Sequence, residues 1–203
     1  KGNNAQDLIH KAETNLQITK QKSNKLPSAS SRKKSVHTLQ FYQIEKLLYE
    51  AIENEEFSLY YQPQVNANTG KIEGLEALLR WEHPKYGLLT PRRFLPVAEK
   101  TELIIPITQW ILKTACQQNL DWIKSGLSYL PISVNISSRL FQSHYLTKML
   151  SQVLSKTGLD GSLLELEFTE NSLFEQNEES TQILQTIKEM KIKMAIDDFG
   201  LGY

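Results

Sequence analysis

The feature that most constrains this chain is a spacing. Three runs rich in β-formers begin near residues 132, 163 and 193, about 30 residues apart, which is the length of one strand–helix unit. Pro131–Ser137 (PISVNIS) alternates Ile132, Val134 and Ile136 with Ser133, Asn135 and Ser137. Leu163–Thr169 (LLELEFT) alternates Leu164, Leu166 and Phe168 with Glu165, Glu167 and Thr169, and Lys193–Asp197 (KMAID) completes the series. The stretches between them read as helices. Ile107–Ser125 has Ile111, Leu112, Ala115, Leu120, Trp122 and Ile123 at helical spacing and stops at Gly126. Ser138 can N-cap a helix that runs to Thr157 and stops at Gly158, and Glu179–Met190 reads as another. Repeated units of this kind predict an α/β fold with a largely parallel sheet, either doubly wound or closed as a barrel.

Upstream, the pattern changes. Tyr42 to Asn54 is an amphipathic helix, with Ile44, Leu47, Leu48, Ala51 and Ile52 on one side. Phe57–Gln64 (FSLYYQPQ) and Lys71–Trp81 (KIEGLEALLRW) read as strands, which makes five in all. The connector Val65–Gly70 is too short for a crossover helix, so these two strands, if paired, run antiparallel.

The first 40 residues differ from the rest. They hold eight Lys/Arg and two Asp/Glu (+6), against fifteen and twenty-one (−6) in residues 41–203, and the two halves cancel to the formal zero. Residues 5–22 read as one helix, with Leu8, Ile9, Ala12 and Leu16 on a face that a single short helix cannot bury alone. Residues 25–40 have the Ser-rich, basic, acid-free composition of a flexible linker, and Arg32-Lys33-Lys34 reads as a solvated part of it. Without interleaved aromatics this basic segment gives no reason to expect a nucleic-acid polymer as partner. At 40% hydrophobic residues, wholesale disorder is excluded, and one cysteine (Cys116) excludes an intrachain disulfide or a cysteine zinc site. No run of about 18 apolar residues is present. A start at Lys1 without a leader, and 203 residues against roughly 150 per domain, suggest one domain plus a tail, cut from something longer.

In parallel α/β folds, sites gather at the C-terminal ends of the strands. The polar residues within or just past those strands are Glu76, Asn135, Glu167, Asp197 and Asp198. Buried carboxylates in parallel strands are costly unless paired or metal-bound. An all-oxygen set suits Mg²⁺ or Mn²⁺ rather than zinc, and the histidines, at 10, 37, 83 and 144, lie outside these strand ends. Adjacent carboxylates such as Asp197-Asp198 often serve two-metal sites. Two plainer readings stay open: Asp-Asp before a Gly-rich turn as a helix cap, and Glu165 or Glu167 as solvent-facing residues of an alternating strand.

Five strings, in order, carry a resemblance: Tyr60–Pro63 (YYQP), Gly74–Trp81 (GLEALLRW), Asn135-Ile136-Ser137, Glu167–Glu170 (EFTE) and Asp197–Tyr203 (DDFGLGY). Together they resemble the EAL domain, a cyclic di-GMP phosphodiesterase domain, over about residues 41–203. The resemblance implies a (β/α)₈ TIM-like barrel whose first strand is antiparallel, with five of its eight strands in this chain. It implies metal ligation by Glu76, Asn135, Glu167, Asp197 and Asp198, with two Mg²⁺ or Mn²⁺ ions. It implies substrate contacts from Gln62, Leu78 and Arg80, and a loop anchored by Glu170. The implied activity is hydrolysis of cyclic di-GMP to linear pGpG, the alternative being a receptor that binds without cleaving. Residues 1–24 resemble the last helix of a GGDEF domain, through Lys11–Leu16, Lys20 and Asn24, although Gln17 stands where that family has an aromatic. The implied partners are cyclic di-GMP and upstream GGDEF or sensor domains, with room for a homodimer through the EAL domain. The implied location is cytoplasmic, tethered to a membrane or not. Leu201 departs from the small residue or Thr of the family. The family's catalytic lysine, a later metal-site glutamate and a glutamine fall beyond Tyr203, so a truncated domain, inactive alone, is expected.

Overall fold

The computed structural model describes residues 30–127, 129–141, 145–169 and 178–197, with the side chains of residues 30–40 and of 179 outside that description. The chain divides into two units, residues 1–40 and 41–203. Of the first, the described part is helical and belongs to α1, Ser30–Glu53. Residues 30–40, within the span expected to be linker, are thus helical. Pro27 is the last helix breaker, and Ser, Lys and Arg beyond it tolerate a helix well. The helix expected over residues 5–22 lies outside the described residues.

Six strands form one sheet: β1 Phe57–Val65, β2 Ile72–His83, β3 Gly87–Leu89, β4 Ile132–Ile136, β5 Leu164–Thr169 and β6 Lys193–Asp197. The order is β1-β2-β4-β5-β6, with β3 pairing β2 beside this path. β1 and β2 are antiparallel, as the short connector requires, with Gln62 opposite Glu76 and Gln64 opposite Gly74. β2, β4, β5 and β6 are mutually parallel. This is part of a barrel wall, and among the described residues it does not close.

β3 is one more strand than the sequence suggested. Its three residues are too few to show a period, yet they pair with Trp81, Glu82 and His83 and carry β2 two residues past its expected end. The 3-10 turn Pro91–Arg93 and the short helix α2, Leu95–Lys100, were also not anticipated.

The helices cover one face of the sheet. In α3, Ile104–Lys124, the buried residues Ile104, Ile107, Ile111, Leu112, Ala115 and Cys116 recur at helical spacing. They pack where Ile132, Val134, Leu164 and Leu166 are fully buried. Asn119, also buried on α3, donates from Nδ2 to the carbonyls of Leu130 (3.1 Å) and Leu163 (3.4 Å), tying the helix to the entries of β4 and β5. α4, Ser138–Phe141, and α5, Tyr145–Thr157, follow β4, and residues 142–144 lie outside the described set. Ser138 is the first helical residue and not the cap. The hydroxyl facing the Leu140 N–H, at 3.4 Å, is that of Ser137. α6, Glu178–Glu189, precedes β6.

The antiparallel end is closed by aromatic packing. Phe57 lies 5.9–6.0 Å from the rings of Trp81, Phe94 and Trp110, and Trp81 donates to Glu56 Oε2 at 2.8 Å. Between β5 and the turn before β6, Gly161 passes so close to Met190 that an added Cβ would sit 2.0 Å from its carbonyl oxygen.

Candidate active site on the open face of the sheet

Strand alternation sorts β2 into two faces. Ala77, Leu79 and Trp81 are buried under the helices. Glu76, Leu78 and Arg80 point the other way, and across the antiparallel register Gln62, Tyr60 and Ser58 stand opposite them. Parallel register brings Asn135 and Glu167 side by side on that same face. Asp197, the last residue of β6, pairs with Thr169.

Strands β2, β4, β5 and β6 thus supply one polar patch. Asn135 Nδ2 donates to Glu76 Oε1 at 2.9 Å. Glu167 is 9% exposed, so the solvent-facing alternative for it is excluded. Its Oε1 accepts from Gln64 Nε2 at 3.0 Å. Burial is the main cause that raises the Glu76 carboxyl above its ordinary value; the Asn135 hydrogen bond opposes it, the Glu167 and Asp197 charges add to it, and Arg80 opposes it. The Glu167 and Asp197 charges therefore bear on Glu76, with Arg80 as the opposing cation among the described residues. A hard divalent cation would relieve that crowding, and the donors are all oxygens. Among the described residues no group of three or more His, Cys, Asp or Glu comes together at metal-holding spacing. Asp198 and Glu170, both named from the sequence, lie outside the described residues, as does the Phe199–Tyr203 loop.

Arg80 is held at its root. Nη1 donates to the Leu79 carbonyl at 2.7 Å, and the guanidinium lies 5.7 Å from the centre of the Tyr60 ring. Tyr60 is 48% exposed, so the pair faces open space. Gln62, opposite Glu76, is exposed as well.

One sequence expectation about histidines needs correction. Because β3 extends β2, His83 does end a strand. It does so on the opposite face from Glu76. It is buried, stacked 5.2 Å from Trp81, and its Nδ1 accepts from the Lys85 N–H at 3.1 Å. Sequence reading gave no role to Tyr60 or Gln64. The signal was present in period two along β1, which puts Ser58, Tyr60, Gln62 and Gln64 on one face.

An incomplete α/β barrel wall with acidic and amide side chains on the open face of its parallel strands is the architecture of a barrel domain with a site at that face. The family model for the EAL domain matches residues 45–203, and the chain belongs to that family. It is 42% identical over 156 residues to the bifunctional diguanylate cyclase/cyclic di-GMP phosphodiesterase MucR of Pseudomonas aeruginosa, covering 77% of this chain and 23% of that protein. It is 42% identical over 159 residues to the signaling protein YkoW of Bacillus subtilis, covering 78% and 20%. Among solved structures, the PaMucR phosphodiesterase in complex with c-di-GMP superposes with a TM-score of 0.76 at 42% identity, over 79% of this chain and 65% of that one. The chain spans about a quarter or less of the curated relatives named here. No helix among the described residues is long and apolar enough to cross a membrane.

Proposed function

We propose that residues 41–203 belong to a domain that binds cyclic di-GMP and hydrolyses one of its phosphodiesters, giving linear pGpG. The observation that carries this reading is the convergence of Glu76, Asn135, Glu167 and Asp197 on one face, with the Glu76–Asn135 bond at 2.9 Å at its centre. These residues, with Asp198, would hold Mg²⁺ or Mn²⁺. When bound, such ions lower the pKa of a coordinated water and neutralise charge on the phosphate.

The chain's own residues do the rest. The Arg80 fork, steadied by Leu79 and Tyr60, is suited to two phosphate oxygens. Gln62 and Leu78 line the same face as Glu76 and would orient the substrate. Glu170 would anchor the Phe199–Tyr203 loop against it. A tandem arrangement with an upstream GGDEF or sensor domain, a homodimer through this domain and a cytoplasmic site of action belong to the same proposal.

The deciding experiment incubates the full-length protein with cyclic di-GMP and Mn²⁺ or Mg²⁺ and separates products by chromatography. A pGpG peak that vanishes in Glu76→Ala is the expected result. Tight binding of cyclic di-GMP without turnover would make the domain a receptor instead.

A further inference from the structure

Gln64 has no part in the reading above, yet both hydrogens of its side-chain amide are committed. Nε2 donates to Ser133 Oγ at 3.1 Å and to Glu167 Oε1 at 3.0 Å. Ser133 is 1% exposed and Glu167 9%, so this is a built, buried contact joining β1 to β4 and β5. A carboxylate this buried needs a donor, and Gln64 supplies one across 103 residues of sequence.

The amide has one workable orientation. Turned over, it would set its carbonyl against the carboxylate and lose the bond to Glu167, although the Ser133 hydroxyl could then donate to it. In the observed orientation Oε1 lies against Gly74, 2.6 Å from where a Cβ would stand, with the Pro131 carbonyl 3.5 Å from the same point. A side chain at 74 would require the end of the glutamine to shift from this position. Gln64 also lines a cavity of about 270 Å³, with Glu165 and Lys193, on the N-terminal side of the strands. It therefore separates the Glu167 carboxylate from that space.

Resting on the metal-dependent reading above, we propose that Gln64 is a positioning residue. It fixes the Glu167 carboxylate through Oε1 so that the other oxygen serves a divalent cation, and Gly74 is glycine to leave room for it. Partners of ligating carboxylates typically change metal affinity about 10–100-fold when removed.

The test titrates Mn²⁺ alone into the full-length protein, without substrate, by calorimetry or by electron paramagnetic resonance of free Mn²⁺. Gln64→Leu and Gly74→Ala, each verified as folded by circular dichroism, are expected to weaken Mn²⁺ binding about 10–100-fold. The double variant should bind no worse than the weaker single one, because both changes remove the same contact. In turnover assays the Mn²⁺ concentration for half-activity should rise, while kcat at saturating Mn²⁺ stays within a few-fold. Native Mn²⁺ affinity in folded Gln64→Leu would overturn the inference. Should that variant not fold, native affinity in Gly74→Ala overturns it equally. A wild-type protein that binds no Mn²⁺ removes the metal-dependent reading itself, an outcome distinct from an unaffected variant.

Discussion

Asn135 and Glu76, 59 residues apart in sequence, are joined by a 2.9 Å hydrogen bond from the amide of one to the carboxylate of the other. The bond bridges β4 and β2, adjacent parallel strands. It opposes the upward shift of Glu76 but does not cancel it, because burial together with Glu167 and Asp197 outweighs it.

A pH dependence follows, with a definite sign. The native state holds the Glu76 proton more tightly than the unfolded chain does. Its contribution to stability is full below the ordinary carboxylate value and is lost as pH rises through the raised one. In chelator-treated protein, Glu76→Gln should flatten the fall in Tm between pH 4 and 7, and it should raise Tm at pH 7 (roughly the span over which a carboxylate titrates). Mn²⁺ should raise the Tm of wild type and leave that of the variant nearly unmoved. Thermal scans with and without chelator check all three.

Arg80 is expected to act on substrate more than on fold. Its fork is worth more than a point charge to a phosphate, and charge-assisted hydrogen bonds contribute about 1.5–3 kcal/mol. Arg80→Lys should therefore raise KM for cyclic di-GMP by about tenfold or more. Tyr60→Phe, which keeps the ring under the guanidinium, should change it little. Steady-state kinetics on the full-length protein distinguish the two.

Cys116 is fully buried in α3, and burial pushes its thiol up to about 12. The thiolate is the reactive form. A thiol reagent at pH 8 should leave native protein untouched and label it once denaturant opens α3. Label uptake against urea then reports global unfolding, and rapid native labelling would contradict the packing described.

Asn119→Leu should be costly although the replacement is apolar and close in volume. It strips the donor shared by the Leu130 and Leu163 carbonyls at the entries of β4 and β5. A buried group left unpaired costs about 1–3 kcal/mol. Urea midpoints should fall accordingly, whereas Gln117→Leu on the exposed side of the same helix should leave them nearly unchanged.

Much of this arrangement could be read from the chain. The connector Val65–Gly70 dictated antiparallel pairing, and the 30-residue spacing dictated parallel strands, because both rest on chain length alone. Glu76, Asn135, Glu167 and Asp197 were singled out as polar residues within or ending the strands; in the structure Asn135 bonds Glu76, and the Glu167 and Asp197 charges reach it. Three residues, Gly87–Leu89, are too short to announce themselves as a strand, so the extension of β2 to His83 was missed. Over residues 30–40 composition did not reveal the helix, because serine and lysine are as compatible with helix as with linker. Period two put Gln64 on the site face, yet its contacts could not be read from the chain. Its partners, Ser133, Glu167 and Gly74, become neighbours only once four strands are in register.

The contact between Gln64 and Gly74 also bears on how this sequence can change. A substitution at 74 requires the end of Gln64 to move, whereas a shorter residue at 64 removes that crowding. The two positions are therefore coupled: what it costs to fill 74 depends on which residue stands at 64.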